Sequence, residues 1–183
     1  MHYVETSVLA SYIIASDPGH ETSRKALEDI ASRHKLYTSS FTLIELHNTI
    51  CRKMVKEREW ELVDPLQKYL DMYLKADEKC WFLLSMVIIF LEDRLGVEFL
   101  EEASIYDLVS VVPGVKMPRI FMELVELSPT LLIRVKDLLH LAYASALSNA
   151  YEIRYFLTRD VDDFERVRGV ARRRLKIEII LVK

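Results

Sequence analysis

Four carboxylates occupy positions from which an α/β protein could use them for chemistry. Glu5 ends a short apolar run, and Glu45 lies among apolar residues with helical spacing. Asp137 opens another helical pattern, and Asp160 follows a predicted strand at residues 154–158. An acidic residue at the carboxyl end of such a strand points into the crevice where α/β folds bind ligands. We therefore expect a divalent metal ion to bind there.

The clustering of acids indicates a particular chemistry. Mg²⁺ and Mn²⁺ prefer oxygen ligands and are commonly held by a few carboxylates together with waters and substrate phosphates. Acids brought together repel one another and resist ionisation unless a cation neutralises them. One or two bound ions can activate water and stabilise the charge that develops on an attacked phosphate. The acids therefore indicate metal-assisted hydrolysis of a phosphodiester.

Each acid also has a structural interpretation. Asp137 could cap its helix, because aspartate is a favoured N-cap residue. Asp160, Asp162 and Asp163 could be turn residues and the cap of the last helix. Glu45 is harder to explain in this way, since a carboxylate between apolar neighbours is partly buried and needs a partner. The pattern favours function for Glu45 and leaves both interpretations of the aspartates open.

Alternating strands and helices must position these acids. The chain opens with a strand that stops at Glu5, and a second short strand at residues 36–38 precedes the long helix that carries Glu45. The helix that begins at Asp137 is followed by the strand at residues 154–158, a basic helix and a β-branched final strand. Strands that alternate with helices predict a parallel sheet covered on both faces.

Composition predicts one domain with a single core. The chain has 183 residues, of which 51% are hydrophobic, so it can fold without disulfides or a structural metal. Helices are predicted at residues 63–76 and 81–95, and prolines with a glycine predict a loop at residues 111–118. Cys51 and Cys80 lack the spacing of a metal site or a disulfide framework, so we expect reduced core thiols.

Charge and hydropathy limit the class of partner. The formal net charge of −3 provides no global attraction to nucleic acid, so RNA would need local basic patches or metal ions. The longest apolar run, residues 81–91, is too short to span a bilayer, and no apolar signal segment precedes the first strand. We expect a cytoplasmic protein without membrane contact. Scarce amides and plentiful Lys, Arg and Glu are typical of thermophile proteins.

Four segments, in this order, resemble the PIN-domain ribonuclease family, in particular the VapC-type toxins. They are YVETSVL at residues 3–9, SSFTLIEL at 39–46, KDLLHLA at 136–142 and FLTRD at 156–160. The resemblance implies a three-layer α/β/α sandwich with a central parallel sheet, spanning residues 1–183 as one domain. The region of about 60–130 matches nothing in the family and is interpreted as an enlarged helical middle.

The resemblance also implies an RNA-cleaving site with Mg²⁺ or Mn²⁺. Carried over by position, the catalytic residues are Glu5, Glu45, Asp137 and Asp160. Glu5, Asp137 and Asp160 would hold the ion that activates water for in-line attack, which leaves 5′-phosphate and 3′-hydroxyl ends, and Glu45 would complete the shell. The expected supporting residues are Thr158, Ser7, Asp162 and Asp163.

Two departures from the family pattern define an alternative. The first acid of the family is usually aspartate, and Glu5 adds a methylene group that moves the carboxylate outward, although Mg²⁺ demands tight octahedral geometry. The enlarged middle also has no counterpart. Both features favour a PIN-like module that binds RNA or a protein without catalysis, whereas Glu45, Asp137 and Asp160 favour the enzyme.

Basic residues suggest where an RNA or a partner would bind. Two groups could bind RNA phosphates or an acidic partner segment, although a solvated helix face is the favoured interpretation of each: Arg52, Lys53, Lys56 and Arg58, and the C-terminal group that includes Arg172 and Arg173. His140, one turn from Asp137, could approach the site, but a core or surface histidine is the favoured interpretation. A toxin would also have an antitoxin partner. Apolar helices in the middle region predict a homodimer, because one core cannot cover them all.

Overall fold

The structure, a computed structural model, describes residues 1–56, 60–72, 76–100 and 103–183. Its strands are β1 (His2–Val4), β2 (Leu36–Ser39), β3 (Val97–Leu100), β4 (Leu108–Val112), β5 (Val115–Pro118), β6 (Tyr155–Thr158) and β7 (Glu178–Leu181). Its helices are α1 (Thr6–Ile13), α2 (His20–Ala31), α3 (Ser40–Lys56), α4 (Leu66–Leu70), α5 (Ala76–Leu95), α6 (Arg119–Leu131), α7 (Val135–Tyr151) and α8 (Val161–Arg174).

Five strands form a parallel sheet in the order β3-β2-β1-β6-β7. Tyr3 on the central strand pairs with Tyr37 on one side and with Phe156 on the other. The chain runs outward from β1 to β3 and later returns to β6 on the opposite side of β1, so the strand order reverses there. In open α/β sheets, ligands bind outside the carboxyl ends of the strands at this reversal. The predicted parallel sheet is confirmed.

Helices cover both faces of the sheet because successive strand residues point in opposite directions. Val4 and Leu157 belong to a core formed with α1, α2, α3 and α5, whereas Tyr3 and Phe156 belong to a second core formed with α6, α7 and α8. All four side chains are fully buried. The result is the predicted three-layer α/β/α sandwich.

The middle region contains more than the predicted helices. It includes strand β3 and an antiparallel hairpin, β4–β5, so the prediction of an irregular loop at residues 111–118 was wrong. Pro113 and Gly114 form the turn, and Gly114 has a φ of +83°, which glycine adopts without a side-chain clash. The β-branched valines on either side favour strands. The helix predicted at residues 63–76 is the shorter α4, and residues 73–75 lie outside the described residues.

Packing of α3 against α5 joins the two cysteines. Cys51 and Cys80 form a disulfide, with 5.6 Å between their Cα atoms. The prediction of reduced thiols was therefore wrong, because a sequence separation of 29 residues does not reveal that two helices bring the sulfur atoms together.

Among the described residues, no helix is both long enough and apolar enough to cross a membrane.

Candidate functional site

The strand order brings the predicted acids to one edge of the sheet. Glu5 follows β1 and Asp160 follows β6, which are neighbouring parallel strands. Asp160 also caps α8, because its side chain accepts a hydrogen bond from the backbone N–H of Asp163. Glu45 lies in the second turn of α3, and Asp137 lies in the first turn of α7. Each acid therefore sits next to or within a helix that packs on the sheet.

Glu5 is buried and its carboxylate is held on several sides. Thr158 Oγ1 donates to Glu5 Oε2 over 3.1 Å, and the Ser7 hydroxyl donates to the same oxygen. Ser7 is fixed in turn by the backbone N–H of Arg159, 3.0 Å away. The other carboxylate oxygen, Oε1, lies 3.6 Å from His140 Nε2. Thr158 and Ser7, which the sequence predicts as supporting residues, thus both donate hydrogen bonds to Glu5.

His140 joins the two glutamates. Its Nε2 lies 2.8 Å from Glu45 Oε2 and 3.2 Å from Thr6 Oγ1. On the opposite side of the ring, Nδ1 lies 3.2 Å from the hydroxyl of Tyr3. The imidazole is fully buried, as a core histidine would be, yet it contacts the site. The sequence indicated this contact only through the position of His140, three residues after Asp137, which places both side chains on one face of the helix.

Three aspartates form a second group. One carboxylate oxygen from each of Asp137, Asp160 and Asp163 lies within 4.8 Å of the others. Asp137 is 1% exposed, whereas Asp160 and Asp163 are 22% and 14% exposed, so the group opens to solvent on one side. Of the two candidate helpers of Asp160, Asp163 lies with it, and the side chain of Asp162 is exposed.

Two cations lie against the acids. Arg134 contacts the carboxylates of Asp137, Asp160 and Asp163. Lys136 Nζ lies 3.6 Å from Glu45 Oε1 and 3.6 Å from Asp137 Oδ1, so it bridges the two groups of acids. The groups therefore adjoin and form one acidic site.

Burial and neighbouring charges both shift the pKa values of these acids. Burial raises the pKa of Asp137, and the negative charge of Glu5 adds to the rise against the attraction of Lys136 and Arg134. Burial also opposes ionisation of Glu45, but the hydrogen bonds from His140 and Thr6 outweigh it and lower the pKa of Glu45 to about 2. For Asp137 the effect of burial is therefore larger than the attraction of Lys136 and Arg134, and its pKa is raised on balance.

The donor set fits a divalent cation. In the part of the chain that the structure describes, two groups bring three ligand atoms each within 4.8 Å: Glu5, Glu45 and His140, and Asp137, Asp160 and Asp163. Carboxylate oxygens are the ligands that Mg²⁺ and Mn²⁺ prefer. The chain's own guanidinium at the aspartates shows that this position attracts positive charge.

The predicted RNA-binding residues lie away from the acids. Arg52 and Lys53 are seven and eight residues after Glu45 on α3, or about 10 Å along the helix. Arg172 and Arg173 are exposed in the last turn of α8, whose opposite end carries Asp163. Arg58 lies outside the described residues. The fold thus does not bring Arg52, Lys53, Arg172 or Arg173 into the acidic site.

Comparisons with known proteins agree with this architecture. Residues 2–81 match the family model of the PIN domain. The structure is similar to that of VapBC2 from Rickettsia felis, solved with a DNA fragment from their promoter, with a TM-score of 0.52 and 14% identity over 100% of both chains. It is also similar to VapC20 of Mycobacterium tuberculosis, a sarcin-ricin loop cleaving toxin, with a TM-score of 0.51 and 16% identity over 91% of this chain and 95% of that one.

These findings define the fold. The parallel sheet flanked by helices is PIN-like, and the match at residues 2–81 carries the first two predicted acids, Glu5 and Glu45. The chain has a VapC-like fold, and residues 2–81 match the PIN domain. A search of curated protein sequences finds no match.

Proposed function

We propose that this chain is a metal-dependent endoribonuclease and the toxin of a toxin–antitoxin pair. The observation that carries the proposal is the meeting of Glu5, Glu45, Asp137 and Asp160 at the carboxyl edge of the sheet. The PIN-domain match and the similarity to a toxin that cleaves the sarcin-ricin loop support RNA as the substrate. The similarity to VapBC2 supports an antitoxin partner.

Mg²⁺ or Mn²⁺ would be held by Asp137 and Asp160, which the sequence also predicts, together with Asp163. When bound, the ion supplies an activated water and stabilises charge on the attacked phosphate. Glu5 borders the aspartates, where its charge raises the pKa of Asp137, and Thr158 and Ser7 fix its orientation. Glu45, ionised at neutral pH, accepts a hydrogen bond from His140 and would accept one from the attacking water.

One observation favours the alternative of a binding module without catalysis. The Glu5 carboxylate is grouped with Glu45 and His140, while the three aspartates form the other group. An aspartate at position 5 has a shorter side chain, so its carboxylate would lie at different distances from the hydroxyl groups of Thr158 and Ser7. The two functions are therefore separated by the behaviour of a Glu5→Asp variant.

The test is cleavage of end-labelled RNA with Mg²⁺ or Mn²⁺. We expect metal-dependent cleavage by the wild type and a loss of at least about 100-fold in Asp137→Asn and Asp160→Asn, because several kcal/mol of transition-state stabilisation depends on the ion. Asp162→Asn is the matched control, since Asp162 is exposed on the same helix as Asp163, and it should cleave like the wild type.

Two results would contradict the nuclease proposal. Cleavage that survives in both Asn variants would assign the activity to another site or to a contaminant. A wild type that is inactive on every RNA tried, combined with cleavage after Glu5→Asp, would establish a silenced fold kept for binding.

A further inference from the structure

The guanidinium of Arg134 contacts one carboxylate oxygen of each aspartate that is proposed to hold the metal ion. Arg134 Nε lies 2.9 Å from Asp137 Oδ2 and 2.6 Å from Asp163 Oδ2, and Nη2 contacts Asp160 Oδ2. One oxygen of each aspartate is therefore taken by the same side chain. Charge-assisted hydrogen bonds of this kind are about twice as strong as neutral ones.

A divalent ion at these oxygens would compete with this guanidinium. Mg²⁺ binds carboxylate oxygens at about 2.0–2.1 Å, and a second positive charge at hydrogen-bond distance from the same atoms would be repelled. Arginine keeps its proton in proteins, so its charge cannot be removed to relieve this repulsion. Loading of these oxygens is therefore favoured when Arg134 moves away.

The position of Arg134 permits this movement. Its side chain is 55% exposed, although two of its partners are largely buried. Arg134 is the N-cap of α7, with extended backbone angles, so its side chain is not packed within the helix. By contrast, Asp137 is held in the first helical turn and is 1% exposed. The carboxylates are thus fixed, and the guanidinium is the part that can move into solvent.

We propose that Arg134 is a tethered competitor of the metal ion. At low divalent ion concentration its single positive charge offsets part of the negative charge of Asp137, Asp160 and Asp163, and it is displaced when the ion binds. The inference rests on the metal site of the proposed function. Its consequence is a threshold: the chain binds Mg²⁺ or Mn²⁺ more weakly than the same aspartates would bind it without Arg134.

The experiment measures Mn²⁺ affinity by titration calorimetry and by electron paramagnetic resonance of free Mn²⁺, with no RNA present. We expect Arg134→Gln to bind Mn²⁺ at least about tenfold more tightly than the wild type. Arg166→Gln is the matched control, because Arg166 is 63% exposed and bonds Asp163 alone among the three aspartates. It should change the affinity by less than about threefold, as expected for an exposed ion pair. Asp137→Asn should abolish binding.

A second measurement on the wild type does not depend on a variant that folds. The Nε–H resonance of Arg134, assigned by its absence in Arg134→Lys, should shift and exchange faster with solvent as Mg²⁺ is added. The Arg166 resonance serves as the internal reference.

The outcomes separate the two proposals. Equal or weaker Mn²⁺ binding by Arg134→Gln, with an Arg134 resonance unmoved by Mg²⁺ and binding still lost in Asp137→Asn, would overturn the competitor role and leave the metal site intact. Absence of Mn²⁺ binding in every variant, Arg134→Gln included, would instead refute the metal site on which the proposed function depends.

Discussion

At the scale of single residues, the site is a balance of buried carboxylates and the groups that hold them. Thr158 shows this most clearly, because its hydroxyl donates to Glu5 and accepts from the backbone N–H of Asp160. One side chain thus fixes two of the predicted acids, one after each of two neighbouring strands. Its loss would leave a buried carboxylate oxygen with fewer donors.

We expect Thr158→Val to lower the free energy of unfolding by about 1–3 kcal/mol, the range for leaving a buried group unsatisfied. Thr158→Ser keeps the hydroxyl and should retain most of the stability. Urea unfolding of the three proteins measures the difference. Equal stability of the Val variant and the wild type would show that the hydroxyl does not support Glu5.

His2 provides a prediction on pH that is independent of the site. Its ring is stacked on Tyr155, and its buried Nδ1 has no hydrogen-bond partner among the described residues. Burial, with the nearby N-terminal ammonium and His34, lowers the pKa of His2 to about 4 from its ordinary value of 6.5. The unfolded chain therefore binds a proton at higher pH than the folded chain, and stability present above pH 6.5 is lost as the pH falls toward 4.

Between pH 7 and pH 5 the loss should be about 2 kcal/mol. His2→Phe, which keeps an aromatic ring against Tyr155, should show a pH dependence smaller by this amount. Urea unfolding at the two pH values measures it. If the wild type and His2→Phe lose the same stability, His2 is not responsible.

At the scale of elements, the disulfide between α3 and α5 connects the helix that carries Glu45 to the middle region. Cys51 lies less than two turns beyond Glu45 on α3, and Cys80 lies in the second turn of α5. The two helices pack over one face of the sheet, where Ile50 and Leu83 are fully buried. The covalent link therefore limits movement of α3 relative to that face.

Reduction of this disulfide should lower the free energy of unfolding by about 2–4 kcal/mol, the range for a loop of this size. Unfolding in urea with and without a phosphine reductant measures the change. The double variant Cys51→Ala/Cys80→Ala is the control and should be insensitive to the reductant. A wild type with equal stability under both conditions would show that the two sulfur atoms are not bonded in solution.

At the scale of the whole molecule, apolar side chains remain on the surface of the middle region. Met72, Trp81 and Ile89 are 74%, 80% and 57% exposed. Monomeric proteins rarely leave large contiguous apolar patches in water. The homodimer predicted from the sequence therefore stays a proposal that these side chains support.

Light scattering should report a mass of twice the 21.4 kDa chain. Trp81→Glu should shift the protein toward the monomer, because burying a charge without a partner at an interface is unfavourable. Lys79→Glu is a control for added negative charge on the same helix. A monomeric wild type at high concentration would refute the dimer.

The sequence by itself determined the alternation of strands and helices, and with it the parallel sheet, because hydrophobic periodicity is a local property. It also placed Glu5 and Asp160 directly after strands. Because parallel strands end at the same edge of a sheet, these two acids were expected to lie at one edge. The order of four short motifs was sufficient for the PIN resemblance, which the family match and the fold confirm.

Only the tertiary structure decided which side chains meet. The contacts of Arg134 with three aspartates, of His140 with two glutamates and of Cys51 with Cys80 join residues from different elements or depend on side-chain direction. Helix and strand periods carry no information about such long-range contacts. The hairpin at Pro113 and Gly114 was likewise missed, because turn residues mark a reversal without showing that the flanking valines pair.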